Sequence, residues 1–328
     1  MSMAVVDEIG FAEFRLGMGT DRRLAVTVLC GGPGGEREVS LRSGRAVAAA
    51  LRTAGHDVVE ADISPDDLSA LDRRGLDAVF VALHGTFGED GRVQQILEDR
   101  GFAYTGSGPE ACRLAMDKQA AKEVFAAHGL PVPAGRVVST LNGATAGDLI
   151  DQLGLPLVAK PLGGGSSLNV TIARSRGELS AGIAAILESG DAALVEEFIP
   201  GRELTVGILE DQALPIIELR TSRAFYDFAA KYQGNHTEYV FEHGLPPATA
   251  RLVQDLARRA HRALGCRDMS RVDVRLDPDL RPYLLELNAI PGCTEKSLLP
   301  KAARRAGIDF PRLTDRLVAA ALERRRQQ

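Results

Sequence analysis

The chain has 328 residues, 45% of them hydrophobic and 25% charged, with a formal net charge of −5. That length exceeds what one core usually supports, so two or three domains are expected. The slightly acidic balance argues against nucleic acid as the main partner, and no apolar run approaches the roughly 20 residues of a membrane helix.

Cys30, Cys112, Cys266 and Cys293 form no Cys-x-x-Cys pair, which disfavours zinc and disulfide frameworks and fits a reducing cytosol. The first residues lack the basic-then-apolar layout of a secretion signal. A cytoplasmic location is therefore expected.

Residues 1–23 read as an arm outside the first sheet. The run Leu24–Cys30 predicts a strand, Gly31–Gly35 a turn, Ser40–Ala54 a helix, His56–Ala61 a second strand and Leu76–Leu83 a third. Strand and helix alternating at this spacing argue for a parallel βαβ sheet, with functional residues at the carboxyl ends of its strands. A second unit opens near Asp117. It has a helix over Lys118–His128, a helix near Asp148, and strands over Leu155–Pro161 and Ala192–Ile199, with Pro200-Gly201 as the break. The third unit contains a strand over Glu203–Leu209, a loop over Phe225–Tyr239, a helix over Ala248–Leu264, a hairpin and a final amphipathic helix over Asp309–Arg326. The Arg324-Arg325-Arg326 end of that helix reads as a solvated cationic terminus.

The hairpin carries the most information. Arg271–Leu276 and Tyr283–Gly292 alternate apolar and polar residues around Asp277-Pro278-Asp279-Leu280-Arg281-Pro282, a set that stops a strand and reverses the chain. Centring the turn between Asp279 and Leu280 sets Asp273 opposite Glu286 and Arg271 opposite Asn288, with Val272, Val274, Leu285 and Leu287 beneath. Two carboxylates this close repel unless a cation lies between them, and oxygen ligands of this kind suit magnesium held together with phosphates. A surface hairpin with a charge ladder is the competing reading.

Gly31–Glu36 is either an anion cradle at a helix amino end or a tight strand-to-helix turn. Gly163–Ser167, following Lys160, is a stronger candidate, because three glycines admit an anion to backbone amides and two hydroxyls add donors. Lys118, Lys160 and Lys231 come from separate elements, as a triphosphate requires; each lysine alone reads as a surface charge. Glu196-Glu197-Phe198-Ile199 ends a strand where a hinge could hold an adenine. His84 heads a polar loop and reads equally well as a cap.

Taken together, these motifs resemble the ATP-grasp superfamily and, within it, the D-alanine–D-alanine ligases, from about Val26 to the last helix. The resemblance rests on Gly31-Gly32 with Glu36–Ser40, Ala82–Gly85, Gly88–Gly91, Tyr104–Gly108, Met116–Lys118, Lys160-Pro161 with Gly165–Ser167, Phe225–Asp227 with Ala230–Tyr232, Arg271–Asp273, and Glu286–Asn288 with Pro291-Gly292. It implies an α/β, three-domain ATP-grasp fold. The N-terminal βαβ domain would be parallel and span 24–110 after an arm at 1–23. A central α+β subdomain would span 111–199, and a catalytic α+β domain with an antiparallel sheet 200–328.

It also implies roles. Asp273, Glu286 and Asn288 would hold two magnesium ions, with manganese as a substitute. Lys118, Lys160 and Lys231 would contact the ATP phosphates, and Glu196, Ile199 and Glu203 the adenosine. Glu36 would pair with the first D-alanine's ammonium, with His84 near its carboxyl. Ser166 and Tyr232 would link to Glu36 and fasten a lid. Ser297 and Leu298 would receive the second D-alanine, and Arg271 with the Gly292 amide would stabilise the oxyanion. Peptidoglycan precursor synthesis and a homodimer follow from the same resemblance, with D-alanine and ATP as the partners.

Leu162–Gly164, Asn169, Glu197, Ala289-Ile290, Cys293 and Glu295-Lys296 depart from the usual family pattern. They leave open an acceptor such as D-lactate, D-serine or another amino acid, and a nucleotide-binding homologue without turnover. Ala230-Lys231-Tyr232 favours the dipeptide.

The crowded hairpin face generates a first prediction. Glu286→Gln should leave the fold intact and nearly abolish turnover. Thermal melts paired with ADP production check this, and near-wild-type turnover in a folded variant removes the metal assignment.

Overall fold

The computed structural model describes residue 20 and residues 22–142, 145–164, 169–221 and 237–327. The first unit comprises β1 (Ala25–Cys30), α1 (Arg37–Thr53), β2 (Asp57–Asp62) and β3 (Ala78–Val81), with the strands parallel in the order β2-β1-β3. In β3, Ala78 and Phe80 join one apolar cluster and Val79 and Val81 another. Both faces are covered, which is why the strand reads as an unbroken apolar run. Helix α1 lies so close to β1 that a Cβ at Gly44 would sit 2.4 Å from the Cys30 Cβ.

The turn after β1 settles one open reading. The Gly32 amide donates to Asp62 Oδ1 at 3.0 Å, and Arg37 pairs with the same carboxylate. A Cβ on Gly31, at φ +75°, would meet that oxygen at 2.3 Å. An internal carboxylate thus occupies the glycine turn, so the tight-turn reading holds there. Its neighbour Arg37, beside Asp62, keeps that carboxyl below its ordinary pKa.

Three helices follow: α2 (Arg92–Asp99), α3 (Pro109–Met116) and α4 (Lys118–Ala127). Asp117 caps α4 by accepting from the Gln119 and Ala120 amides, both at 3.0 Å, which fixes Lys118 as the first helical residue. Next come β4 (Gly135–Val138), α5 (Thr145–Leu153), β5 (Leu157–Pro161), β6 (Thr171–Ala173), α6 (Arg176–Glu188) and β7 (Ala193–Glu197). These strands form an antiparallel sheet in the order β4-β7-β5-β6 over its own core of Leu157, Ala159, Ile183, Ile186 and Val195.

The largest sheet contains β8 (Arg202–Leu209), β9 (Gln212–Ala213), β10 (Ile217–Thr221) and β11 (Thr237–Val240). After α7 (Pro247–Ala263) it is completed by β12 (Met269–Leu276) and β13 (Pro282–Asn288). Its order is β11-β10-β8-β12-β13, antiparallel at each pairing, with β9 on β8. Helices α8 (Leu298–Arg305) and α9 (Phe310–Gln327) close the chain.

Pairing of β12 with β13 sets Arg271 opposite Asn288 and Asp273 opposite Glu286, as the turn residues predict. Beyond Asp273 the register slips by one, so Val274 faces Leu284. A bulge adds one residue to a strand, and here it buries Leu284 instead of the expected Leu285, which is half-exposed. Cys30, Cys112 and Cys293 are buried free thiols, and Cys266 is partly exposed.

Helix α9 returns to the first sheet, where Leu313, Leu317 and Val318 share a core with Val26, Val28 and Phe80. The Leu24 amide donates to His56 Nδ1 at 3.3 Å, leaving Nε2 to donate to Asp315 Oδ1 at 2.9 Å. The expected solvated terminus needs correction at Arg324. Its guanidinium pairs with Asp268, a carboxylate 4% exposed, and donates to the Tyr104 carbonyl at 2.7 Å. The Gly106 amide donates to the other Asp268 oxygen at 2.7 Å. Burial of Asp268 demands a charged partner, and α9 delivers one. Arg324→Ala strands that carboxylate, so urea unfolding should report a loss of about 3 kcal/mol, whereas Arg326→Ala should stay within ~0.5 kcal/mol of wild type.

Candidate functional site

A cavity of about 760 Å³ opens where α1, the loop after β3, the end of the β12–β13 hairpin and the start of α8 meet. Glu36, His84 and Lys118 line one side of it, and Arg271, Glu286, Asn288, Gly292, Ser297 and Leu298 the other. These nine expected residues come together from five separate stretches of chain. Ser166, Lys231 and Tyr232 lie outside the described residues.

His84 is buried and held on three sides. Its amide donates to Ser40 Oγ at 2.8 Å, its Nε2 lies 3.0 Å from Ser43 Oγ, and its Nδ1 lies 3.5 Å from Glu89 Oε1. The other Glu89 oxygen accepts from the Gly85 amide at 2.8 Å. The His-Gly-x-x-Gly-Glu spacing therefore builds a loop that orients one imidazole. Opposite it, Ser297 is the N-cap residue of α8, and its Oγ lies 2.9 Å from Thr294 Oγ1. Amides in the first turn of a helix lack intrahelical partners and favour a carboxylate.

On the hairpin face, alternate residues of β12 carry charge. Arg271 grips Asp273 through Nε and Nη2, at 3.0 and 2.9 Å, and Thr205 Oγ1 donates to Asp273 at 2.6 Å. Asp273 is buried behind this pair and does not itself line the cavity. Arg275 bonds Glu203 at 3.2 Å and the Ile199 carbonyl at 3.1 Å, with its guanidinium 5.5 Å from the Phe198 ring centre. Thr205 and Arg275 were missed in the sequence, although Arg275 continues the period-two series from Arg271 and Asp273.

Lys160 and Glu196 meet in the interior between β5 and β7, at 2.6 Å. A lysine that the sequence did not single out, Lys122 of α4, reaches the second Glu196 oxygen at 2.5 Å. Two ammonium groups thus share one carboxylate. Burial, then the Lys160 charge, pushes the Lys122 pKa down to about 8 against the pull of Glu196. For Glu196, burial pushes up, but the two lysines outweigh it and hold the carboxyl below its ordinary value. Lys118 donates to the carbonyls of Gly163 and Gly164 at 3.3 and 2.8 Å, tying α4 to the glycine loop.

Among the described residues, no three His, Cys, Asp or Glu side chains converge as a metal cluster. The hairpin donors still fit a hard divalent ion. Asp273 and Glu286 are directly opposed and Asn288 adds an amide oxygen, while the Arg271 guanidinium offsets the Asp273 charge and would have to turn aside for Asp273 to take a cation. Two carboxylates completed by substrate phosphates are how magnesium is commonly held.

A parallel βαβ unit and two antiparallel units that bring Lys118 and an oxygen-rich hairpin to one cleft, with Lys122 and Lys160 buried on Glu196 outside its lining, make up an ATP-grasp fold. The D-ala D-ala ligase C-terminus family matches residues 124–319, and the D-ala D-ala ligase N-terminus family matches 67–107. A D-alanine–D-alanine ligase of Acidiphilium cryptum is 48% identical over 292 residues, 88% of this chain and 95% of the relative. The crystal structure of D-alanine–D-alanine ligase from Bacillus anthracis complexed with ATP superposes with a TM-score of 0.80 at 31% identity, covering 93% of this chain and 99% of that one. The VanG D-Ala:D-Ser ligase from Enterococcus faecalis gives 0.79 at 26% identity, covering 92% and 100%. The chain belongs to the D-alanine–D-alanine ligase family.

The shared carboxylate generates a pH prediction. Below about pH 8, Lys122 is protonated in both folded and unfolded chains. Between there and the ordinary lysine value of 10.5, the unfolded chain binds the extra proton, so this residue's contribution to stability rises with pH. Unfolding free energies of wild type and Lys122→Met, measured from pH 7 to 10, should therefore diverge in favour of wild type above pH 8. A constant difference would contradict the burial of a charged Lys122.

Proposed function

We propose that this protein joins two D-alanines into D-alanyl-D-alanine, with ATP converted to ADP and phosphate, as a step in building peptidoglycan precursors. The observation that carries the reading is the hairpin end that brings Arg271, Glu286 and Asn288 into one cleft with Glu36, His84 and Ser297, with Asp273 paired opposite Glu286 and buried against Arg271. A carboxylate oxygen of the first D-alanine attacks the γ-phosphorus while the bond to ADP breaks, leaving an acyl phosphate. The amine of the second D-alanine then adds to the acyl carbon, loses a proton, and phosphate departs. Positioning and charge stabilisation carry most of such a reaction.

In this reading Glu36 takes the first ammonium. His84, oriented by Ser43 and Glu89, lies near the carboxyl. Ser297 and Leu298 take the second carboxylate at the start of α8. Arg271 and the Gly292 amide serve the tetrahedral oxyanion, which requires Arg271 to turn from Asp273. Lys118, Lys160 and Lys231 serve the phosphates, and Glu196, Ile199 and Glu203 the adenosine pocket. Because both Glu196 oxygens are taken by lysines, that residue would act on the nucleotide through its backbone or through those lysines. Ser166 and Tyr232 would latch a lid to Glu36. Asp273, Glu286 and Asn288 would hold magnesium, which when bound neutralises phosphate charge. No helix among the described residues is long and apolar enough to cross a membrane, in keeping with a cytoplasmic enzyme, and a homodimer is the proposed assembly.

The likeness to a D-Ala:D-Ser ligase keeps a second acceptor in the test. Phosphate release and product mass should be measured with D-alanine alone and with D-alanine plus D-serine, D-lactate or L-alanine. D-alanyl-D-alanine as the dominant product supports the reading, and a mixed product at equal acceptor concentration moves the assignment to another acceptor. ATP binding with no phosphate release for any acceptor would leave a non-catalytic homologue. Arg271→Ala should cost ~3 kcal/mol of barrier, or about a hundred-fold or more in kcat, while ATP affinity changes far less.

A further inference from the structure

Helix α8 meets strand β11 and the two residues that follow it in two rungs. In the first, Lys301 Nζ lies 3.6 Å from the centre of the Tyr239 ring. In the second, the Arg305 guanidinium lies 5.9 Å from the Phe241 ring and pairs with Glu242 at 3.1 Å. Four residues along a helix advance about 6 Å, and two along an extended chain about 6.8 Å, so the spacings of the two rungs agree.

The first rung is tied to the cleft in two ways. Tyr239 lines the same cavity as Ser297 and Leu298. The Lys301 amide donates to the Ser297 carbonyl at 3.0 Å, closing the first turn of α8. Lys301 is half-buried, and burial, followed by the nearby Arg304 and Lys296 charges, lowers its pKa. An aromatic face offers the negative potential that such a crowded cation lacks.

We propose that Lys301 is a positioning residue for the acceptor amino acid: its contact with Tyr239 clamps β11 against α8 and so fixes the helical turn that carries Ser297 and Leu298. The proposal rests on the reading that the acceptor carboxylate binds at that turn. When the acceptor arrives, a preset turn binds it without first being ordered.

Lys301→Met keeps the apolar stem and removes the charge. Initial rates over a wide D-alanine range yield separate constants for the two D-alanine sites. The acceptor KM should rise about five-fold, the loss expected for a partly desolvated cation–π contact, while kcat and the KM for ATP stay within about two-fold. Lys301→Arg should restore the acceptor KM, because a guanidinium also stacks on a ring. Tyr239→Leu should reproduce the defect, Tyr239→Phe should not, and Lys301→Met with Tyr239→Leu should be no worse than either alone. If Lys301→Met does not fold, the Tyr239 pair decides. Hydrogen exchange on the ligand-free protein gives a readout independent of turnover: amides of 237–240 and 301–303 should exchange faster in Lys301→Met. Equal rises in all substrate constants, or unchanged exchange and acceptor KM, overturn the clamp. A wild-type protein that makes no D-alanyl-D-alanine overturns the functional reading instead, and exchange still decides whether the clamp exists.

Discussion

Two carboxylates facing each other across a β-ladder repel, and the arrangement around β12 and β13 follows from that constraint. Asp273 is neutralised by Arg271 two residues away and steadied by Thr205 from the neighbouring strand. Placing β8 beside β12 brings Thr205 to Asp273 and Glu203 to Arg275, so each charge of the β12 series has a polar partner. The bulge after Asp273 confines the register change to the turn side of the hairpin and leaves the Arg271–Asn288 end undisturbed. Apolar residues on the opposite face, Val272, Val274, Leu284 and Leu287, anchor this polar surface to the main core.

The interior between β5 and β7 shows the converse condition. Lys122 and Lys160 place two positive charges on one carboxylate, leaving a surplus cation inside the protein. A surplus of that sign costs stability in the empty protein and favours a polyanion. Loop and helix contacts, such as Lys118 on the Gly163 and Gly164 carbonyls, bring further positive charge beside it.

How much of this was legible in the sequence depended on how local the cause was. Strand alternation and the Asp-Pro-Asp turn predict the Asp273–Glu286 opposition because a hairpin is a local structure. The bulge was not legible, since Leu284 and Leu285 are chemically identical and only packing chooses between them. Lys122 sits within a helix and reads as solvated; its burial depends on a strand more than 70 residues away. Arg324 reads as part of an exposed cationic end for the same reason, as its partner Asp268 precedes β12. The glycine turn after β1 suggested an anion site, and the anion proved to be the protein's own Asp62. Of the site residues, nine converged on the cleft, Asp273, Lys160, Glu196, Ile199 and Glu203 lie outside its lining, and Arg275 and Thr205 emerged only from strand neighbours.

The first sheet is covered by the last helix. Leu313, Leu317 and Val318 complete its core, and Asp315 bonds Thr20 and His56 at its edge. On the ribosome, where domains commonly fold in the order they are made, this sheet must wait with one apolar face covered only in part, by α1, until α9 has emerged. The amino-terminal unit is therefore the first to be synthesised and among the last to be finished. A truncated chain lacking α9 would expose part of the face of a sheet whose last strand was made more than 200 residues earlier, which makes incomplete translation products natural substrates for chaperones and proteases.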